Sequence, residues 1–68
     1  MSNSFIEYMK LHLISLEQDS AHIEKAMDAY ENYEDDAYRE LEIEDISTNG
    51  QIIATQHLIR VAEEMLNA

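Results

Sequence analysis

Apolar residues recur at Ile6, Met9, Leu13, Leu16, Ile23, Met27 and Tyr30, with Ser20 filling the one polar place in the series. The steps alternate between three and four residues. That seven-residue repeat puts a continuous stripe on one face of a helix. Ser4 and Glu7 have the spacing of a capping box, so the pattern predicts a long helix over 4–33, about 43 Å at about 1.5 Å per residue. Phe5, Ala26 and Tyr33 widen the apolar face, His12 and Asp19 narrow it in the middle, and Lys10, Glu17, Glu24 and Glu31 form a charged flank. A face of this width suits packing against more than one neighbouring helix. Ser20 reads as a small residue that lets helices approach, or as a polar register-setter in the seam.

Past Tyr30 the stripe meets Glu34 and falters. Asn32, Asp35 and Asp36 are good helix N-caps, which predicts a break near 32–36 and a short acidic helix over 35–42. Ile43 would point about 160° away from Leu41 on a continued helix, at about 100° per residue. A loop is therefore expected over 43–48, reinforced by the turn-forming run Ser47-Thr48-Asn49-Gly50. Thr48 and Gln51 form a second capping box, and a return helix is expected over 49–67. Its apolar residues make two adjacent rows, Ile52, Thr55, Ile59, Ala62, Leu66 and Ala54, Leu58, Val61, Met65.

The fold class expected is all-α: a single helical domain over 1–68, a hairpin whose return helix lies antiparallel on the first. The return helix has more apolar surface than one hairpin covers. Two hairpins are therefore expected to pair into a dimeric four-helix-type bundle, with Ile52, Ile53, Ile59, Val61 and Leu66 at the dimer interface. Size points the same way, since a chain of 68 residues buries only about 60% of its unfolded surface. Small chains usually need a further staple. Cysteine is absent, which removes disulfides and thiolate zinc sites.

Charge adds a functional direction. Fifteen acids face four bases, a formal net charge of −11, which argues against direct binding to nucleic acid or anionic membrane. No basic leader or long apolar run is present, so a cytoplasmic location is expected. Between Asp28 and Asp45 stand nine acids, Asp28, Glu31, Glu34, Asp35, Asp36, Glu40, Glu42, Glu44 and Asp45, against Arg39 alone. Laid along a helix of about 27 Å they give one charge per roughly 3 Å. That is about half the density of duplex DNA, at one per about 1.7 Å. Tyr30, Tyr33 and Tyr38 are interleaved, and aromatics among carboxylates add apolar contact to electrostatic steering.

Chemistry is not suggested by any spacing. Asp19 and His22 resemble half of a carboxylate–His element of a di-metal bundle, but His57 lacks a matching acid three residues before it. No calcium loop, nucleophile–base pairing or phosphate-binding glycine loop is present. The expectation is a non-enzymatic protein with no metal or cofactor. It would be a small acidic regulator or inhibitor binding a basic protein, in its sharpest form a nucleic-acid-binding protein whose groove it occupies by mimicking phosphates. Such compositions are frequent among phage and mobile-element accessory genes. The alternative is a helical adaptor that binds a partner helix through its apolar face.

Overall fold

The computed structural model describes residues 3–67. Helix α1 (Asn3–Asp28) and helix α2 (Asp36–Asn67) pack against each other as an antiparallel hairpin. The hairpin is a rod whose Cα trace spans 51 × 14 × 12 Å, with a radius of gyration of 15.5 Å. A compact domain of this length has a radius nearer 11 Å.

The α1 stripe faces α2 as its spacing requires. Ile6, Met9, Leu16 and Ser20 are buried, and Leu13, Ile23 and Met27 are half-buried. On α2 the facing positions are Tyr38, Leu41, Asp45, Thr48, Ile52, Thr55, Ile59 and Ala62, again in steps of three and four. The apolar centre lies at the open end, where Ile6 and Met9 meet Ile59 and Ala62, with Leu13 packed beside them. Lys10 Nζ and Glu63 Oε2 close one flank at 3.3 Å.

Helix α1 stops five residues short of the expected end at 33. Its last turn is closed by short-range bonds, Ala29 N–H to Ala26 O at 3.2 Å and Tyr30 N–H to Met27 O at 3.1 Å, which satisfy carbonyls a helix end leaves open. The connection then organises itself locally. Asn32 Oδ1 accepts the Glu34 N–H at 3.0 Å, and Asp35 Oδ1 accepts the Ala37 N–H at 2.8 Å. Asp35 is thus the N-cap of α2, and Asp36 meets the positive end of its dipole.

Two boundaries need correction. The expected short helix over 35–42, loop over 43–48 and new helix from 49 are one uninterrupted helix, α2. Thr48 is not a cap but a half-buried position of the inner seam, and Gly50 has helical backbone. The physical reason is that Asp45 and Thr48 continue the inward stripe with polar residues. Ile43 and Ile46 point outward, 66% and 73% exposed. At the other end, Ser4 lies inside α1, which already includes Asn3, a shift within the usual ambiguity of helix ends.

Candidate functional site

The closed end of the hairpin gathers the acidic segment. Asp28 ends α1; Glu31, Glu34 and Asp35 lie in the connection; Asp36, Glu40, Glu42 and Glu44 ride on the first turns of α2, all exposed. Folding back changes the charge density. The eight exposed acids from Asp28 to Glu44 now share the axial length of nine residues of α2, about 14 Å. That is about one carboxylate per 1.7 Å, the axial charge spacing of duplex DNA, where the unfolded-back segment gives half of it.

Three tyrosines hold this end together. The Tyr30 and Tyr38 rings meet edge to face, centroids 6.1 Å apart, and Tyr33 tilts over Tyr38 at 5.0 Å. Each such pair is worth about 0.5–1.5 kcal/mol beyond burial, which fixes the connection over the end of α2. Tyr30 and Tyr38 are half-buried, whereas Tyr33 is 69% exposed and presents its ring among the carboxylates. Desolvation raises the Tyr38 hydroxyl above its ordinary pKa of 10.0, helped by the negative field of Glu42, Tyr33, Asp28 and Asp45.

Asp45 departs from the rest of the set. It sits in the inner seam, half-buried, and its Oδ1 is buried without a hydrogen-bond partner among the described residues. It is therefore an unsatisfied member of the seam, not part of the exposed acidic surface. Nearby, Ser20 Oγ donates to Asn49 Oδ1 at 3.4 Å across the two helices. Ser20, Asp45, Thr48 and Asn49 make the middle of the hairpin a polar layer.

The residues expected at a dimer interface separate. Ile59 is buried against α1 and Ile52 is half-buried on the same inner seam, so both belong to the hairpin itself. Val61 is half-buried, while Ile53 and Leu66 are 67% and 44% exposed. The outward row that the sequence reading missed is Ile43, Ile46, Gly50, Ile53, His57 and Arg60, whose three–four spacing was there to be found.

Asp19 and His22 line a shallow groove on the flank of the hairpin together with Ile43, Glu44 and Thr48. Among the described residues no three His, Cys, Asp or Glu side chains are grouped to hold a metal ion. His57 Nδ1 accepts a hydrogen bond from Arg60 Nη2 at 3.1 Å on the surface of α2. No described helix is long and apolar enough to cross a membrane. Comparison with protein-family models, with curated proteins and with solved structures finds no match to this chain.

Proposed function

We propose that the protein is a non-enzymatic binder whose closed, acidic end engages a basic surface on another protein. One observation carries this reading: the fold brings eight exposed carboxylates into about 14 Å of the rod, at the axial charge spacing of DNA, around an exposed Tyr33. An elongated two-helix rod with that density suits a surface built to hold nucleic-acid phosphates. The sharpest form of the proposal is an inhibitor or regulator of a nucleic-acid-binding protein that acts by occupying its phosphate-binding surface. Two hairpins pair in this reading, so that each particle carries two acidic ends.

The test is capture of partners from a host lysate at about 50 and about 500 mM salt, since exposed charge pairs are screened over about 8 Å at physiological ionic strength. The variants should replace Glu31, Glu34 and Glu42 by Lys. All three are exposed and none caps a helix. The proposal requires a basic partner that is lost both at high salt and in the triple variant. Capture that survives both supports the second reading, a helical adaptor. That reading draws on the large apolar residues left exposed at the open end, Phe5, Tyr8, Leu11, Leu58 and Met65.

A further inference from the structure

Helix α2 turns its amphipathicity inside out over its middle. Between Ile43 and Ile53 the inward positions carry Asp45, Thr48 and the half-buried Ile52. The outward positions carry Ile43, Ile46 and Ile53, which are 66%, 73% and 67% exposed. Isolated exposed apolar residues are ordinary. Here three isoleucines stand in one straight row, in steps of three, four and three about Gly50, and β-branched side chains lose rotamer freedom on a helix without packing gain.

Gly50 is the second anomaly. A glycine inside a helix is less favourable than alanine by about 1 kcal/mol. A Cβ built on Gly50 would meet nothing within 4 Å, and its φ is not positive. Nothing inside the hairpin needs a glycine there. A bare backbone flanked by branched apolar residues is what close approach of a second helix requires.

The surface area leaves room for a contact of ordinary size. The hairpin exposes 5282 Å², whereas a compact monomer of 7.9 kDa exposes about 4,400 Å². The excess, about 900 Å², matches the roughly 800 Å² that each partner contributes to a standard stable interface.

Charge favours one direction. Before Gly50, α2 carries Asp36, Glu40, Glu42, Glu44 and Asp45 against Arg39; from Gln51 to Ala62 it carries no acid and has Arg60, with Glu63 and Glu64 only in its last turns. Two α2 helices crossing in parallel would stack acid on acid. Crossing antiparallel about Gly50, they bring Glu40 and Ile43 of one copy level with Arg60 and His57 of the other, and Ile46 close to Ile53.

We infer that the occupant of this row is a second copy of the same chain, docked α2 against α2, antiparallel, with the two Gly50 backbones at the crossing point. This rests on the reading that hairpins pair, and it names the face. The rival face for such a pair is the apolar patch at the open end, Phe5, Tyr8, Leu58 and Met65.

The absence of cysteine makes the test direct. Mass by light scattering on the unaltered chain comes first; a clean monomer defeats pairing itself and this inference with it. Given a dimer, Gly50→Cys should form a disulfide-linked dimer within minutes of mild oxidation, because only residues on the dyad meet their own copies at bonding distance. Gln18→Cys, exposed on the far side of α1, should stay unlinked. Ile46→Glu with Ile53→Glu should weaken the dimer at least 100-fold, or roughly 2.8 kcal/mol at about 1.4 kcal/mol per tenfold. Gly50→Leu should raise the helicity of the dissociated chain while weakening the dimer, a pair of opposite signs that misfolding does not produce. A dimer that ignores the Ile46 and Ile53 changes and fails to cross-link through Gly50→Cys overturns the proposed face and assigns pairing to the open-end patch.

Discussion

Asp45 is the position where the hairpin is least well served by its own sequence, so replacing it with leucine should stabilise the protein. Its Oδ1 is buried with no hydrogen-bond partner among the described residues, and the side chain sits in the seam between Leu41 and Thr48. An unsatisfied buried polar atom costs about 1–3 kcal/mol. Asp45 is half-buried, and water still reaches part of the carboxylate, so the lower end applies. Half-burying a leucine there adds about 1 kcal/mol. The better helix propensity of leucine adds a few tenths, roughly 0.4 kcal/mol. The total is about 2–3 kcal/mol. For a chain this small each kcal/mol moves the melting midpoint by about 4–8 °C, so the expected rise is on the order of 10–20 °C.

The assay is thermal and urea unfolding followed by far-ultraviolet circular dichroism. Protein concentration must be held constant, because a dimer's midpoint depends on it. Asp45→Asn separates the two contributions: it removes the charge, keeps the volume, and should recover only about 1 kcal/mol. Binding of the basic partner should be little changed, since Asp45 is not on the exposed acidic surface. A variant Asp45→Leu that melts at or below the temperature of the unaltered chain refutes the inward placement of residue 45.

Ile59→Ala removes most of a side chain from the apolar centre and should cost about 2–5 kcal/mol, read as a lowered midpoint in a urea titration. Lys10→Ala should cost less than about 1 kcal/mol in the same titration, because its partner Glu63 and Lys10 itself are about half exposed (47% and 52%). Asp35→Ala should lower stability by about 1 kcal/mol through loss of the α2 cap, with amide exchange accelerated first at Ala37. Tyr38 gives a pH signature: its folded pKa is raised above 10.0, so the folded state holds that proton more tightly than the unfolded chain. The stabilisation is therefore present below pH 10 and is lost as pH rises above it. Unfolding curves taken across that range should show a loss that Tyr38→Phe removes.

The parts of the fold legible in the sequence are those where apolar residues point inward. Ile6, Met9, Leu13, Leu16, Ile23 and Met27 mark the inner face of α1, and only Ser20 interrupts them. Asn32 and Asp35 announced the break because their side chains do what the spacing requires, one making the turn and the other capping α2. The continuous α2 was not legible for the same reason in reverse. From Ile43 to Gly50 the apolar residues lie outside and the inner positions are polar, so a rule that places isoleucine in the core must break the helix there. Ser47, Thr48, Asn49 and Gly50 add weak helix propensity, which packing against α1 overrides at Thr48. At the acidic end, composition gave the number of charges. It could not give their density, because that depends on the fold-back at 29–35, which sets Asp28 and the connection beside the first turns of α2.

The same inversion ties the fold to its assembly. The hairpin is held at one end by Ile6, Met9, Ile59 and Ala62, and at the other by Tyr30, Tyr33 and Tyr38. Between them, beyond the buried Leu16 and the half-buried Ile23 and Ile52, the inner seam offers Ser20, Asp45, Thr48 and the long 3.4 Å bond to Asn49, which contribute little net stability. The outward isoleucines lie over this same stretch. A second copy docked on Ile43, Ile46 and Ile53 would cover α2 where α1 holds it least, and would shield the exposed helix backbone at Gly50 from water. Apolar burial for the middle of α2 is then supplied from outside the chain, with Glu40 level with the second copy's Arg60, while Asp28, Glu31, Glu34 and Asp35 at the connection stay open to a partner. On this arrangement the middle of α2 and the dimer form together, because the residues that make that helix poor in isolation are the ones that let a second helix approach it.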